Sequence, residues 1–170
     1  MLQKDFPYAF IYKVKNFEKH KDNLLNLIFE LPKNKIETNG CSVSHSDYFS
    51  EQKSKKEYVK YFQENIIKDF AKFLCEKFNC KFINFHQVWF QVYNYGDYHK
   101  KHRHPNCNLA SIFYLELPHK KLTTDFGEYK IEIEEGDILT FPAFIEHSSP
   151  RNKTNLRKTI ISTNSSLLND

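Results

Sequence analysis

The hydrophobic period changes in the middle of the chain, and this change limits the possible folds more than any other feature. From Phe82 onward, apolar residues recur at every second position, so that Val88, Phe90 and Val92 alternate with Gln87, Trp89, Gln91 and Tyr93. A period of two is typical of β-strands, whose successive side chains point to opposite faces. Turn-forming residues then separate four further predicted strands, at 109–116, 129–134, 138–141 and 156–163.

The connections between these late strands favour antiparallel sheets. Parallel neighbours require crossovers of a dozen or more residues, usually helical, and no helix-length segment separates the late strands. Tyr129, Ile131 and Ile133 alternate strictly with charged residues, which is typical of a sheet with one solvent-exposed and one buried face. The sequence therefore predicts a double-sheet, cupin-like jelly roll.

The first half of the chain predicts helices with a short opening strand at 8–14. Asn16 suits a helix N-cap, and apolar residues then recur at helical spacing until Pro32. A capping box at 54–57 predicts a second helix that runs to about Phe78. We interpret the polar segment 34–53 between the helices as a loop with room for a short strand, of a length that often acts as a lid near a site. The predicted fold class is thus α+β, with the helices packed on the outside of one sheet.

Composition places the chain among globular proteins. With 170 residues, of which 40% are hydrophobic and 16% aromatic, we expect one domain: 1–80 as mainly helical support and 81–170 as the jelly-roll core.

Four cysteines without a C-x-x-C pair and the lack of a signal-like N-terminus predict a reducing, cytoplasmic location. No membrane span is predicted. The 25 basic residues are scattered among 21 acidic ones, so there is no clear nucleic-acid signal, and the oligomeric state is open.

Histidines are concentrated in the stretch 93–104, Y-N-Y-G-D-Y-H-K-K-H-R-H. In a strand, His102 and His104 would project from the same face and could hold one ion. His147 follows a short apolar run and offers a third imidazole, and Arg157 stands in an otherwise apolar strand. Imidazoles with one arginine in β-structure are the parts of an iron site that also binds a dicarboxylic acid.

The alternation of side chains along the strands predicts further residues around this iron and dicarboxylic-acid site. If Arg157 faces inward, Thr159 does too, and Tyr114 and Tyr93 can face the same space from other strands. A guanidinium fork with one or two hydroxyl groups is a strong, charge-assisted way to hold a carboxylate.

These motifs resemble a known family. The order H-x-H at 102–104, Y-L at 114–115, G-D-I-L-T-F-P-A-F-I-E-H at 136–147 and R-x-T at 157–159 is similar to the iron(II)- and 2-oxoglutarate-dependent oxygenases, most closely an uncharacterised, prolyl-hydroxylase-like branch with an H-x-H-P motif. The resemblance covers about residues 85–164. It implies a double-stranded β-helix that uses Fe(II), 2-oxoglutarate and dioxygen. Under it, His102 and His147 bind the metal, Arg157, Thr159 and Tyr114 hold the distal carboxylate of 2-oxoglutarate, and Tyr93 lines the same pocket.

One position departs from the common family pattern. Most of these enzymes read H-x-D or H-x-E, whereas this chain has His104 at the acidic position. A third neutral imidazole can bind ferrous iron but leaves one more positive charge on the metal. Asp97 and Asp125 are alternative carboxylate ligands that rank below His104, because neither has the i, i+2 relation to His102. We expect His99 to be a solvated loop residue.

The sequence thus predicts a dioxygenase with His102, His104 and His147 as its catalytic metal ligands. Its substrate would be a small molecule or a peptide, with prolyl or peptidyl substrates as the first to test. Two alternatives stay open at this point. One is a non-catalytic jelly-roll module with a metal-binding or structural role, and the other is a cupin-type three-histidine dioxygenase that does not use 2-oxoglutarate.

Overall fold

The computed structural model of the chain describes residues 4–5, 8–50 and 56–169. The strands found in these residues are β1 (Lys4–Asp5), β2 (Phe10–Lys13), β3 (Ile36–Glu37), β4 (Cys41–Val43), β5 (His45–Ser46), β6 (Phe82–Tyr93), β7 (Tyr98–His102), β8 (Leu109–Glu116), β9 (Tyr129–Lys130), β10 (Asp137–Pro142), β11 (His147–Ser149) and β12 (Lys158–Leu168). The helices are α1 (Phe17–Phe29), α2 (Glu57–Phe62) and α3 (Lys68–Phe78), and a π-helical turn at Gln63–Ile67 joins α2 to α3.

Most of the strands belong to two antiparallel sheets. The larger sheet has six strands in the order β2-β10-β8-β12-β6-β5, and the smaller has four in the order β11-β7-β4-β3. A separate short pair, β1 with β9, is parallel. The prediction of an α+β chain with mainly antiparallel sheets is therefore confirmed.

The helices cover one face of the six-stranded sheet. Leu24 of α1, Phe62 of α2 and Phe70 of α3 are fully buried in a cluster that also contains Phe113 of β8 and Ile161 of β12. The Phe62 and Phe113 rings stack with their centroids 5.8 Å apart. Burial of each such side chain stabilises the fold by roughly 1.5–3 kcal/mol, so apolar burial holds the helices in place.

The other face of the same sheet packs against the four-stranded sheet. Ile112 and Leu139 of the larger sheet join Ile36 and Val43 of the smaller in a second buried cluster. Strand β8 illustrates the division, because its odd-numbered apolar residues contact the helices and its even-numbered ones face the second sheet. The functional residues described below lie on this second face.

Several local predictions differ from the structure. The segment 34–53, interpreted as a loop with room for one short strand, contains three, β3, β4 and β5. The predicted strand 129–134 is a strand only at Tyr129–Lys130. Strands β7 and β11 were not predicted, because their polar sequences, Y-H-K-K-H and H-S-S, show no apolar alternation. The Ser54 end of the predicted capping box lies outside the described residues, and Asn16 sits at the start of α1 without a side-chain capping bond.

None of the helices in the described part of the chain is long and apolar enough to span a membrane.

Candidate metal centre

Three histidines converge where β7 and β11 pair in the smaller sheet. His102 is the last residue of β7 and lies directly opposite His147, the first residue of β11, while His104 follows two positions after His102. One ring nitrogen from each of the three lies within 4.8 Å of the other two, and Nε2 of His104 is 3.3 Å from Nε2 of His147. The geometry is therefore that of three imidazoles around one point.

Two of these rings have a defined orientation. Nδ1 of His102 lies 2.9 Å from the Lys100 carbonyl oxygen, and Nδ1 of His147 lies 2.9 Å from the Ile145 carbonyl oxygen. A carbonyl only accepts hydrogen bonds, so each Nδ1 carries the proton and each Nε2 keeps a free lone pair. This is the arrangement commonly found in histidines that bind a metal.

Burial keeps all three imidazoles neutral near pH 7. It lowers the pKa of His102 to about 4 and that of His147 to about 3, with a further contribution from neighbouring histidines. Burial also lowers the pKa of His104. Because a metal ion binds only the deprotonated ring, the cluster is ready to coordinate without first releasing protons to solvent.

The two alternative carboxylates are engaged elsewhere. Asp97 is buried and accepts hydrogen bonds from the hydroxyl groups of Ser42 and Ser44 and from the backbone N–H of Asn94. Asp125 accepts from the backbone N–H of Gly127 at 2.8 Å. Within the described part of the chain, the only potential metal-binding group comprises the three histidines and no carboxylate.

His99 does not lie in a solvated loop, so that expectation was wrong. It belongs to β7, and its ring centroid lies 3.9 Å from that of His102. Its side chain lines the same cavity as the three histidines. The sequence shows no apolar alternation at β7, and for this reason the strand that positions His99 went unrecognised.

The histidines line a cavity of about 640 Å³ between the two sheets. Strand β12 contributes four residues to its wall, Lys158, Ile160, Ser162 and Asn164, and β6 contributes His86 and the alternating set Gln87, Trp89, Gln91 and Tyr93. The alternating set lies opposite the four β12 residues, from Tyr93 opposite Lys158 to Gln87 opposite Asn164. Residues directly opposite in an antiparallel pair share a face, which explains why both sets reach the cavity.

Lys158 supplies the positive charge in this cavity. Its side chain is 1% exposed, and Nζ donates to Oγ of Ser149 at 2.8 Å and lies 5.0 Å from the centroid of the Tyr93 ring. Burial lowers the pKa of Lys158 to about 7. Among the described residues, no carboxylate pairs with this ammonium group. A buried cation with only hydroxyl and aromatic neighbours is a binding point for an anion.

The structure places Arg157 and Thr159 outside the lining of this cavity, away from the carboxylate-binding position predicted for them. The Arg157 guanidinium makes two hydrogen bonds of 2.6 Å to the Glu116 carboxylate and lies over the Phe29 ring of α1, and its side chain is 39% exposed. Thr159 also donates to Glu116. Both residues are on the face of β12 that looks toward the helices, because Lys158 and not Arg157 is in register with Tyr93.

The two tyrosines are both buried. Tyr93 lines the cavity and shares a face with Trp89 and Gln91, as predicted. Tyr114 has its hydroxyl hydrogen-bonded to Oγ1 and the backbone N–H of Thr124, and the centroid of its ring is 5.9 Å from Nζ of Lys158. Burial raises the pKa of both phenols. Tyr93 therefore lines the cavity with its hydroxyl beside Ser149, whereas the Tyr114 hydroxyl is held by Thr124.

Solved structures with the same arrangement of sheets and helices identify the fold. The chain superposes on a collagen prolyl hydroxylase of Paramecium bursaria Chlorella virus-1 in complex with 2OG with a TM-score of 0.65, at 19% identity over 94% of this chain and 97% of that one. A prolyl-4-hydroxylase from Pseudomonas putida gives 0.66 at 8% identity, over 95% and 94%. An oxidoreductase of the 2OG-Fe(II) oxygenase family from Burkholderia pseudomallei gives 0.68 at 9% identity, over 95% and 88%.

The chain has the fold of the 2OG-Fe(II) oxygenases. No protein-family model matches the chain. No curated protein matches it at the sequence level either. The likeness to this oxygenase fold is thus structural, and the expected resemblance to 2OG-Fe(II) oxygenases, prolyl hydroxylases among them, is confirmed at that level.

Proposed function

We propose that the protein is an iron(II)- and 2-oxoglutarate-dependent oxygenase whose two sheets form a double-stranded β-helix. The observation that carries this proposal is that three neutral imidazoles line one cavity with a buried ammonium group that has no carboxylate partner in the described part of the chain. A divalent metal needs the first feature and a dicarboxylic co-substrate needs the second. The oxygenase fold agrees with both.

The histidine cluster fits a ferrous ion. His102, His104 and His147 would hold it through Nε2, and imidazole is a common ligand for iron in proteins. Three neutral ligands leave the full charge of the ion uncompensated, in contrast to a site with two histidines and one carboxylate. A dianionic co-substrate would balance that charge, so we expect metal and co-substrate to bind cooperatively.

Lys158 fits the distal carboxylate of 2-oxoglutarate. Its ammonium group would donate to the carboxylate together with the hydroxyl groups of Ser149 and Tyr93, which lie beside it. Bringing an anion to a buried cation restores the favourable charge pairing that the free site lacks. Lys158 therefore takes the role that the sequence suggested for Arg157.

With iron, 2-oxoglutarate and dioxygen bound, this cofactor set supplies the oxidative decarboxylation that drives hydroxylation of a C–H bond. The protein binds and orients the two ligands and excludes water from the cavity. The substrate would be a small molecule or a peptide. A proline-containing peptide is the first to test, because prolyl hydroxylases are among the proteins that share the fold.

Anaerobic titration with Fe(II) and 2-oxoglutarate tests the proposal. We expect a weak visible charge-transfer band that requires both ligands, and succinate release when air is admitted. Lys158→Met should abolish the band, whereas Arg157→Met, its matched control on the opposite face of the strand, should retain it. The absence of both the band and succinate release from the wild type would contradict the proposal.

The three-histidine set also favours a second candidate, a cupin-type dioxygenase that does not use 2-oxoglutarate. The distinguishing feature is Lys158, which that chemistry would not need. Oxygen consumption with a substrate but without 2-oxoglutarate, unchanged in Lys158→Met, would support this second function. A metal-binding module without turnover would bind Fe(II) but release no succinate under any condition.

A further inference from the structure

Asn164 has a buried amide oxygen without a hydrogen-bond partner in the described part of the chain. The residue lies on β12 opposite Gln87 of β6, and its side chain is 5% exposed. Its Nδ2 donates to Oε1 of Gln87 at 2.6 Å, while Oδ1 is buried without any partner in hydrogen-bonding geometry among the described residues. An unsatisfied buried acceptor costs about 1–3 kcal/mol, so its presence in a cavity wall calls for an explanation.

The surroundings of Asn164 indicate what this oxygen is for. Nδ2 of Asn164 is committed to Gln87, and Asn164 and His104 line the same cavity. The His104 ring stacks on Trp89, which lies opposite Ser162 in the pairing of β6 with β12. Asn164 follows Ser162 on the same face and is therefore a diagonal neighbour of Trp89, and a carboxamide oxygen accepts from an imidazole N–H.

His104 differs from the other two histidines in how its ring is held. His102 and His147 each donate from Nδ1 to a backbone carbonyl, whereas no backbone carbonyl of the described chain accepts from the His104 ring. Its plane is set by stacking, on Trp89 at 5.9 Å and on His147 at 5.1 Å between ring centroids. Stacking fixes the plane of an imidazole but does not choose which nitrogen carries the proton.

We propose that Asn164 is the positioning residue of the third metal ligand, with Oδ1 accepting the Nδ1–H of His104 so that Nε2 is left free for the ion. Gln87 holds the amide in the required orientation. The inference rests on the metal centre of the proposed function and deepens it. It explains how an imidazole serves where a carboxylate is more common, since a carboxylate ligand has no N–H to satisfy.

Metal affinity measured in four variants tests the role of Asn164. Anaerobic Fe(II) and Co(II) dissociation constants are determined for the wild type, Asn164→Leu, His104→Asp and the double variant. We expect Asn164→Leu to weaken both metals about 10- to 100-fold and to shift the visible bands of bound Co(II), which is the usual effect of losing an outer partner. In the His104→Asp background, the same substitution should change affinity less than about twofold, because the N–H is absent.

Two controls separate positioning from general damage to the strand. Thr163→Val alters the adjacent buried residue, whose hydroxyl also lacks a partner but lies on the other face of β12, and it should leave affinity unchanged. Asn164→Asp retains an acceptor oxygen and should keep affinity within a few-fold of the wild type. Equal losses from Asn164→Leu in both backgrounds would show a merely structural role and overturn the inference.

Nitrogen-detected NMR of the zinc-loaded wild type gives a second measurement that needs no folded double variant. We expect a slowly exchanging Nδ1–H signal from His104 that disappears in Asn164→Leu. Zinc-bound His104 with a rapidly exchanging Nδ1–H, or with Nδ1 as its ligand atom, would overturn the inference while leaving the metal centre in place. A wild type that binds none of these metals would instead overturn the metal centre itself, and the inference with it.

Discussion

Arg157 and Lys158 are adjacent in sequence and carry the same charge, but the structure uses them in opposite ways. Arg157 faces the helices and is neutralised by Glu116. Lys158 faces the cavity, where the Ser149 hydroxyl is its one hydrogen-bond partner among the described residues. A cation that pairs with a carboxylate of the same fold has a structural role. A buried cation without a counter-ion among the described residues instead marks a position where an anionic ligand can bind.

The two sites also differ in their effect on stability. The Glu116–Arg157 pair is partly exposed, and such pairs contribute about 1 kcal/mol or less. The buried ammonium group of Lys158 instead destabilises the ligand-free fold, because burial opposes its charge. A binding residue that lowers the stability of the empty site is a common compromise in proteins.

The first expected effect, which is the largest on ligand binding, is that of Lys158→Met on affinity for the co-substrate. Removing one partner of a buried charged contact costs about 2–5 kcal/mol, so affinity for 2-oxoglutarate should fall on the order of 100-fold or more. Isothermal titration of the metal-loaded protein measures the change. If Arg157→Met produced the same loss, the contrast between the two cations would be wrong.

The second effect is a rise in stability with pH. The unfolded chain keeps the lysine proton up to about pH 10, whereas folded Lys158 releases it near pH 7. The unfolded state therefore binds more protons between these values, and the free energy of unfolding of the ligand-free protein should rise by roughly 4–5 kcal/mol across that window. Urea unfolding at several pH values measures it, and Lys158→Met should lack this contribution.

The third effect, on the helix-facing side, is smaller. Arg157→Met should lower the free energy of unfolding by about 1 kcal/mol, because it leaves Glu116 without its cation. Lys158→Met should raise that free energy at pH 7, and this opposite sign is the sharper result. Urea unfolding of the two variants gives both changes in the free energy of unfolding. Changes of the same sign would contradict the contrast between Arg157 and Lys158.

The smallest effect concerns acid pH. Burial tends to raise the pKa of Glu116, but the hydrogen bonds from Arg157 and Thr159 outweigh it and lower the pKa overall. The carboxylate then contributes stability above its unfolded pKa, and that contribution is lost as the pH falls through the folded value. The stability difference between the wild type and Glu116→Gln should therefore shrink toward zero below about pH 4. A difference that stays constant down to pH 3 would show that the charge pair contributes nothing.

Much of this arrangement could be predicted from the sequence. The helical and two-residue periods predicted the α+β organisation, because one face of each element is apolar. The H-x-H spacing predicted that His102 and His104 would approach one ion, and the strand pairing brings His147 beside them.

The phase of the last strand could not be predicted in the same way. Residues 158–165 are all buried, so both faces of β12 are covered and the alternation that would reveal an inward face is lost. Only pairing with β6 selects Lys158 over Arg157. The role proposed for Asn164 could not be predicted from the sequence either. It depends on a buried oxygen atom without a partner among the described residues, and the residue type alone does not reveal this.

A crystal structure of the protein with Mn(II) and 2-oxoglutarate, grown without oxygen, tests the central claim most directly. We predict that the ion is bound by Nε2 of His102, His104 and His147, and that the distal carboxylate of 2-oxoglutarate contacts Nζ of Lys158. A metal bound elsewhere, or a co-substrate held by Arg157 on the helix-facing side, would contradict the account.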